Sequence, residues 1–213
     1  MKIFTIAILL MLVTGCGVTY QTAELKEIIT PAHTQVSHLQ KEGFCVVTRE
    51  LTARESESYL GLNLKNYRYT PILMSMENTA QKAFKIKTTN IQIVNDKGDK
   101  VKPAAVEEVL TQTNYSHWRV LPCWIILVPG IFFAIPSHNS ISRANQNMEK
   151  DYTAKSFRRD GYILNAKDEA HALIFFKNAA QGTKYDYVTM ELEQLGETEA
   201  EPIKTLTITI PIS

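Results

Sequence analysis

Two hydrophobic patterns alternate along this chain. From residue 44 onward, several short stretches place apolar and polar residues with a period of two, the spacing that sends successive side chains to opposite faces of a strand. Phe44, Val46 and Thr48 alternate with Cys45, Val47 and Arg49, residues 84–87 and 91–94 alternate likewise, and residues 72–77 form a more apolar run after Pro71. Residues 161–164, 170–176, 185–193 and 206–212 have strand composition near the carboxyl end. These runs are rich in branched and aromatic side chains and are separated by turn formers such as Asn95, Asp96, Gly98 and Asp99, which predicts strands joined by tight turns. Seven or eight strands at this spacing predict a mainly β fold, an antiparallel sandwich, with the last two strands as a terminal hairpin. Residues 56–64 and the aromatic stretch after them read as a connection.

Between residues 103 and 157 the period changes. Val106, Val109 and Leu110 predict a short helix opening after Pro103. Ile141, Ala144, Met148, Tyr152 and Lys155 recur every three or four residues, predicting an amphipathic helix over 140–157. Between these lies VLPCWIILVPGIFFAIP, residues 120–136, without a charge. It falls short of the about 20 apolar residues that span a bilayer as a helix. Pro122, Pro129 and Gly130 break a single helix, so the segment reads as an apolar hairpin. Three readings stay open: a hairpin resting in a membrane interface, a buried core segment, or a partner-binding surface. Trp124, Ile125, Ile126, Leu127, Ile131, Phe132 and Phe133 are the contact residues in the membrane and partner readings.

The first sixteen residues have a different logic. Lys2 precedes an apolar run from Ile3 to Val13, the proportions of a secretory leader. Leu12, Val13, Thr14, Gly15 and Cys16 follow, and this order resembles the lipobox of bacterial lipoproteins. The resemblance implies that Cys16 is the lipid-attachment site, that residues 1–15 are removed, and that acyl chains such as palmitate hold the mature chain to a membrane. Each buried methylene adds about 0.8 kcal/mol, and stable anchoring takes more than one acyl chain. Gly17, where inner-membrane lipoproteins carry an aspartate, implies the outer membrane in a two-membrane cell. Residues 16–43 then read as a polar lipidated tether ahead of a β domain over 44–213.

The phrase TPILMSMENTAQKAFKIKTTNIQIVNDKG resembles the paired strands of immunoglobulin-like modules in exported bacterial proteins. With YLGLNLKNYRYTPILMSMEN it is similar to exported lipoproteins in which such a sandwich is interrupted by an apolar insertion. That resemblance implies an immunoglobulin-like sandwich with the insertion at 103–157, and it brings no catalytic residue.

Charge narrows the function further. The chain carries 23 basic and 22 acidic side chains, and loss of the leader removes Lys2 and no acid. A balance this close to zero argues against a nucleic-acid binder, whose affinity depends on neutralising many phosphates. Cys45 and Cys123 remain as a pair able to form a disulfide in an exported chain. They do not have the C-x-x-C spacing of redox or zinc sites.

His33 and His38 fall in the tether without the neighbours a metal site needs. Asp160, Asp168 and Glu169 precede His171, a sequence in which an acid can orient a base. The alternative is an acid-rich loop ahead of a strand. Glu107 and Glu108 read as a solvated helix face, and Tyr115, His117 and Trp118 as the edge of the apolar segment.

No nucleophile elbow, phosphate loop or metalloprotease helix occurs. The expectation is a non-enzymatic envelope lipoprotein without cofactor or metal. It would be anchored to the cell membrane or outer membrane and face the periplasm or exterior, with an envelope protein as a partner. The alternatives are a carrier of lipid or another apolar ligand, and a hydrolase built around His171.

Overall fold

The computed structural model describes residues 19–25, 38–41, 43–115, 131–157, 161–178, 183–196 and 202–212. Ten strands, three helices and two short 3-10 turns lie within them. The strands form two antiparallel sheets packed together in a sandwich-like, mostly β arrangement. Sheet A has the order β1 (His38–Lys41), β2 (Phe44–Glu50), β3 (Tyr69–Asn78), β8 (Glu169–Lys177).

Sheet B is built around β9 (Tyr185–Leu195). β10 (Pro202–Pro211) runs along one flank of β9. The other flank takes β4 (Phe84–Ile86) and β5 (Gln92–Asn95) in succession, separated by the 3-10 turn Thr88–Asn90. β7 (Tyr162–Leu164) and β6 (Lys100–Val101) pair with β4 and β5 in turn.

The alternation read from the sequence decides which side chains meet. Phe44, Val46, Ile72, Met74 and Met76 of sheet A pack against Phe84, Ile86, Ile93, Val188, Met190 and Ile208 of sheet B. β3 and β8 are also apolar on their other face, where Tyr69, Leu73, Leu173 and Phe175 would be left in water by a two-layer fold. A second core covers them. It is made by α1 (Ala53–Leu60), the 3-10 turn Leu64–Tyr67, α2 (Val106–Thr113) and α3 (Ile131–Lys155). Met148 and Tyr152 of α3 enter this core, and the Tyr152 ring stacks on Phe175 at 5.7 Å between centroids. The five positions expected to face inward, Ile141, Ala144, Met148, Tyr152 and Lys155, are all buried.

Several elements depart from the sequence reading. α3 begins at Ile131, well before residue 140, so the expected second arm of the apolar hairpin, residues 131–136, is helical backbone. The helix continues across Pro136, which forfeits one backbone bond near the helix start. α2 starts at Val106, three residues beyond Pro103, because Pro103 is held in a bridge with Phe176. α1 occupies part of the stretch read as a connection. Its start is written in Thr52 and Glu55, a capping box in which the Thr52 hydroxyl accepts from the Glu55 N–H and the Glu55 carboxylate accepts from the Thr52 N–H. β1 lies inside the expected tether and β6 is too short to show a period. Residues 120–130 lie outside the described residues.

The insertion is closed at its base. The Ala104 N–H donates to the Phe175 carbonyl and the Phe157 N–H to the Leu173 carbonyl, both on the outer edge of β8. The two ends of the excursion from Ala104 to Phe157 therefore bond to carbonyls two positions apart on one strand.

Asn78 ties the two sheets at the opposite end. It is fully buried at the end of β3, and its side-chain amide lies 2.8 Å from the Lys82 carbonyl, 3.0 Å from that of Leu164 and 2.8 Å from that of Asn165. Its side-chain oxygen accepts from the Ala80 N–H at 3.0 Å. Removing the amide leaves buried carbonyls without donors, at about 1–3 kcal/mol for such groups. Asn78→Ala is expected to lower unfolding stability by about 2–3 kcal/mol in urea denaturation, within a single cooperative transition.

Candidate functional site

The most elaborate polar cluster joins the amino-terminal segment to the helical layer. Tyr20 donates its hydroxyl to Asp151 Oδ2 at 2.7 Å, and the Thr22 hydroxyl donates to the same oxygen at 3.1 Å. Lys155, one helical turn after Asp151, reaches both of that carboxylate's oxygens at 2.9 Å. It also donates to the Thr22 hydroxyl at 2.9 Å and to the Tyr59 carbonyl at 2.7 Å.

The Lys155 ammonium is thus buried with each of its donors engaged, which is what makes a buried cation tolerable. Ala23 adds a backbone bond to the Ser58 carbonyl at 2.9 Å, and Leu25 enters the second core. Gly61 caps α1 with φ of 73°, and a Cβ there would come within 2.7 Å of the Tyr20 ring. A residue without a side chain is needed at that position for both reasons. Part of the segment read as a tether is therefore docked on the domain.

A second polar group lies on the uncovered end of sheet A's outer face. The register sets Ser75 opposite both Val47 and His171, and Glu77 opposite both Cys45 and Glu169. Ser75 Oγ is 2.9 Å from His171 Nδ1, and His171 Nε2 is 2.9 Å from Glu169 Oε1. With the ring neutral, Nε2–H donates to Glu169 and Nδ1 accepts from Ser75. Ser75 was not singled out in the sequence, because only the β3–β8 register brings it to His171.

The arrangement supplies a base beside a hydroxyl. It does not supply an oxyanion site from the same strand, since β3 is flanked by β2 and β8 and the backbone N–H groups around Ser75 are engaged in those ladders. Asp168 is turned elsewhere: its carboxylate accepts from the Asn165 N–H at 3.0 Å and closes the β7–β8 turn.

Cys45 carries a free thiol on the same face. Burial, and then the charge of Glu77, push that thiol's pKa up, which keeps it protonated and poorly nucleophilic. Cys16, Cys123, Trp124, Ile125, Ile126, Leu127, His33, His117, Trp118 and Asp160 lie outside the described residues. Ile131, Phe132 and Phe133 form the first turn of α3. Tyr115 is pinned to that helix: its N–H donates to Asn145 Oδ1 at 2.8 Å and its carbonyl accepts from Asn145 Nδ2 at 3.1 Å. Asn145, an indifferent helix former, has its place through these two bonds. Glu108 accepts from Lys177 at 2.7 Å on the surface, while Glu107 is exposed. Among the described residues, no cluster of His, Cys, Asp and Glu could hold a metal ion, and no helix is long and apolar enough to cross a membrane.

The Tyr20 phenol is pushed far above the usual tyrosine range, first by burial and then by its hydrogen bond to the Asp151 carboxylate. A tyrosine whose pKa rises on folding contributes stability that is fully present below its unfolded value of about 10 and is lost as pH climbs toward the folded one. Raising the pH above about 10 is therefore expected to release the amino-terminal segment, seen as faster hydrogen exchange at the Ala23 amide than the pH change alone produces. Tyr20→Phe should show raised Ala23 exchange already at neutral pH and lose the extra alkaline step, with the strand amides of β9 unchanged.

The structure is similar to the crystal structure of the yjhA protein from Bacillus subtilis, with a TM-score of 0.38 and 7% sequence identity, over 83% of this chain and 96% of that one. No protein-family model matches the chain, and no curated protein matches it.

Proposed function

We propose that this chain is a bacterial envelope lipoprotein, held to the cell membrane or outer membrane by acyl chains on Cys16 and facing the periplasm or the cell exterior. Its immunoglobulin-like body acts without catalysis, as a structural or contact module for the membrane or an envelope protein. The observation that carries the reading is the order Leu12, Val13, Thr14, Gly15, Cys16 after an apolar leader. Residues 19–25 support it, because the chain docks on the domain directly after the cysteine. The uncharged run 120–136 supplies the contact surface, through Trp124, Ile125, Ile126, Leu127, Ile131, Phe132 and Phe133. With basic and acidic side chains nearly equal in number, nucleic acid is not a partner.

The contacts among Ser75, His171 and Glu169 favour a second reading, a hydrolase. The base and hydroxyl support it, and the engaged backbone around Ser75 weighs against it.

Fractionation separates these ideas. Wild-type protein is expected in the membrane fraction, with the mass of a chain beginning at Cys16 plus its acyl chains. Cys16→Ala expressed behind a cleavable non-lipid leader is expected to be soluble. Salt-resistant pelleting of that variant would transfer anchoring to residues 120–136. Ester or glycan turnover by the pure protein, abolished in folded Ser75→Ala and His171→Ala variants, would overturn the non-catalytic reading.

A further inference from the structure

The docked segment fixes more than its own position. Only residues 17–19 separate Cys16 from Tyr20, so the two Cα atoms can be at most about 14 Å apart even with the chain fully extended. Tyr20 itself is fastened to the helical layer by Asp151, by the adjoining Thr22 and Lys155 bonds, and by the Ala23 bond to α1. The lipid is therefore connected to the outermost of three layers, the one lying over sheet A on the side away from sheet B.

One strip of that layer's solvent side, on α3 and apart from the exposed Glu57, Glu107 and Glu108 of the other helices, is of suitable chemistry. On α3, Asn139, Arg143, Asn147, Lys150 and Ala154 are exposed and recur every three or four residues, giving an outward stripe that carries two cations, with Glu149 exposed on its flank. Such a stripe suits the phosphates of a lipid surface, where each basic side chain adds about 1 kcal/mol on an anionic leaflet.

We propose that the chain's own lipid draws the helical layer onto the bilayer, the clamp of Tyr20, Thr22, Asp151 and Lys155 acting as a short strut that sets the Arg143–Lys150 stripe at the headgroups and turns sheet B away. The proposal rests on the lipoprotein reading. Strands of sheet B then stand about 20 Å farther from the membrane, two layer spacings. Their outer face, with Glu191 exposed on β9, is left for partners in the envelope space.

The test uses the full acylated protein in phosphatidylethanolamine–phosphatidylglycerol vesicles carrying a headgroup-linked energy acceptor. A fluorescent amino acid is placed at Ala154 or, separately, at Glu191. Acylation is read first by mass: a chain without acyl groups on Cys16 overturns the lipoprotein reading and this proposal with it. For acylated, vesicle-bound protein, transfer is expected to be several-fold stronger from position 154 than from 191.

Insertion of ten Gly and Ser residues between Val18 and Thr19 leaves the clamp and core untouched and adds a flexible span of about 17 Å. It is expected to remove most of that difference while binding persists. Asp151→Asn should act in the same direction. Equal transfer from the two positions in the acylated protein overturns the proposal alone. So does a difference that survives the insertion, since the body would then be held by another surface.

Discussion

Sheet A has to be buried twice. β3 and β8 carry large apolar side chains on both faces, and a strand of that kind is stable only between two covering layers. Sheet B covers one face and the three helices cover the other. The helical elements between and before the strands are thus demanded by the strands. Without Met148, Tyr152, Val109 and Leu60 overhead, Leu73, Leu173 and Phe175 would face water, at about 1.5–3 kcal/mol for each such side chain.

This two-sided burial also explains what the sequence could and could not disclose. Strands buried on one face alternate, and β2 and β4 are legible from their period, β9 and β10 from their strand composition. β3 reads as a nearly continuous apolar run, Tyr69–Asn78, and its strand character was visible, but nothing in it reveals that two different layers share its side chains. The inward face of α3 was legible to the residue, because packing on a sheet enforces a 3.6 period from Ile141 to Lys155. Its first turns were not, because an apolar run flanked by Pro and Gly gives no period to read. α1 was missed for want of a long period, although Thr52 and Glu55 carry its start signal. β1 and β6 are pairings of short polar segments, decided by the neighbouring strand and not by their own composition.

The candidate sites divide in the same way. The proposed lipid-attachment site, Cys16, rests on a sequence motif and needs no fold to be read. The clamp on residues 19–25 is invisible in sequence, since Tyr20 and Asp151 are brought together across most of the chain, and a Thr- and Gln-containing stretch has the composition of a linker. His171 stands just after Asp168 and Glu169 in the sequence. Its closest partner is Ser75 on the facing strand, and the acid expected to orient it, Asp168, closes a turn instead. In both clusters the residue types were available in the sequence, and the juxtaposition came from strand register and helix packing.

The stitched base of the insertion has a consequence beyond its own stability. The bonds from Ala104 and Phe157 occupy the outer edge of β8, which would otherwise offer unpaired backbone groups to a strand of another molecule. They also bring the two ends of the excursion side by side, so that its interior can change in length or composition without asking any strand to move. The chain has in effect a socket on sheet A into which different apolar or helical segments can be set.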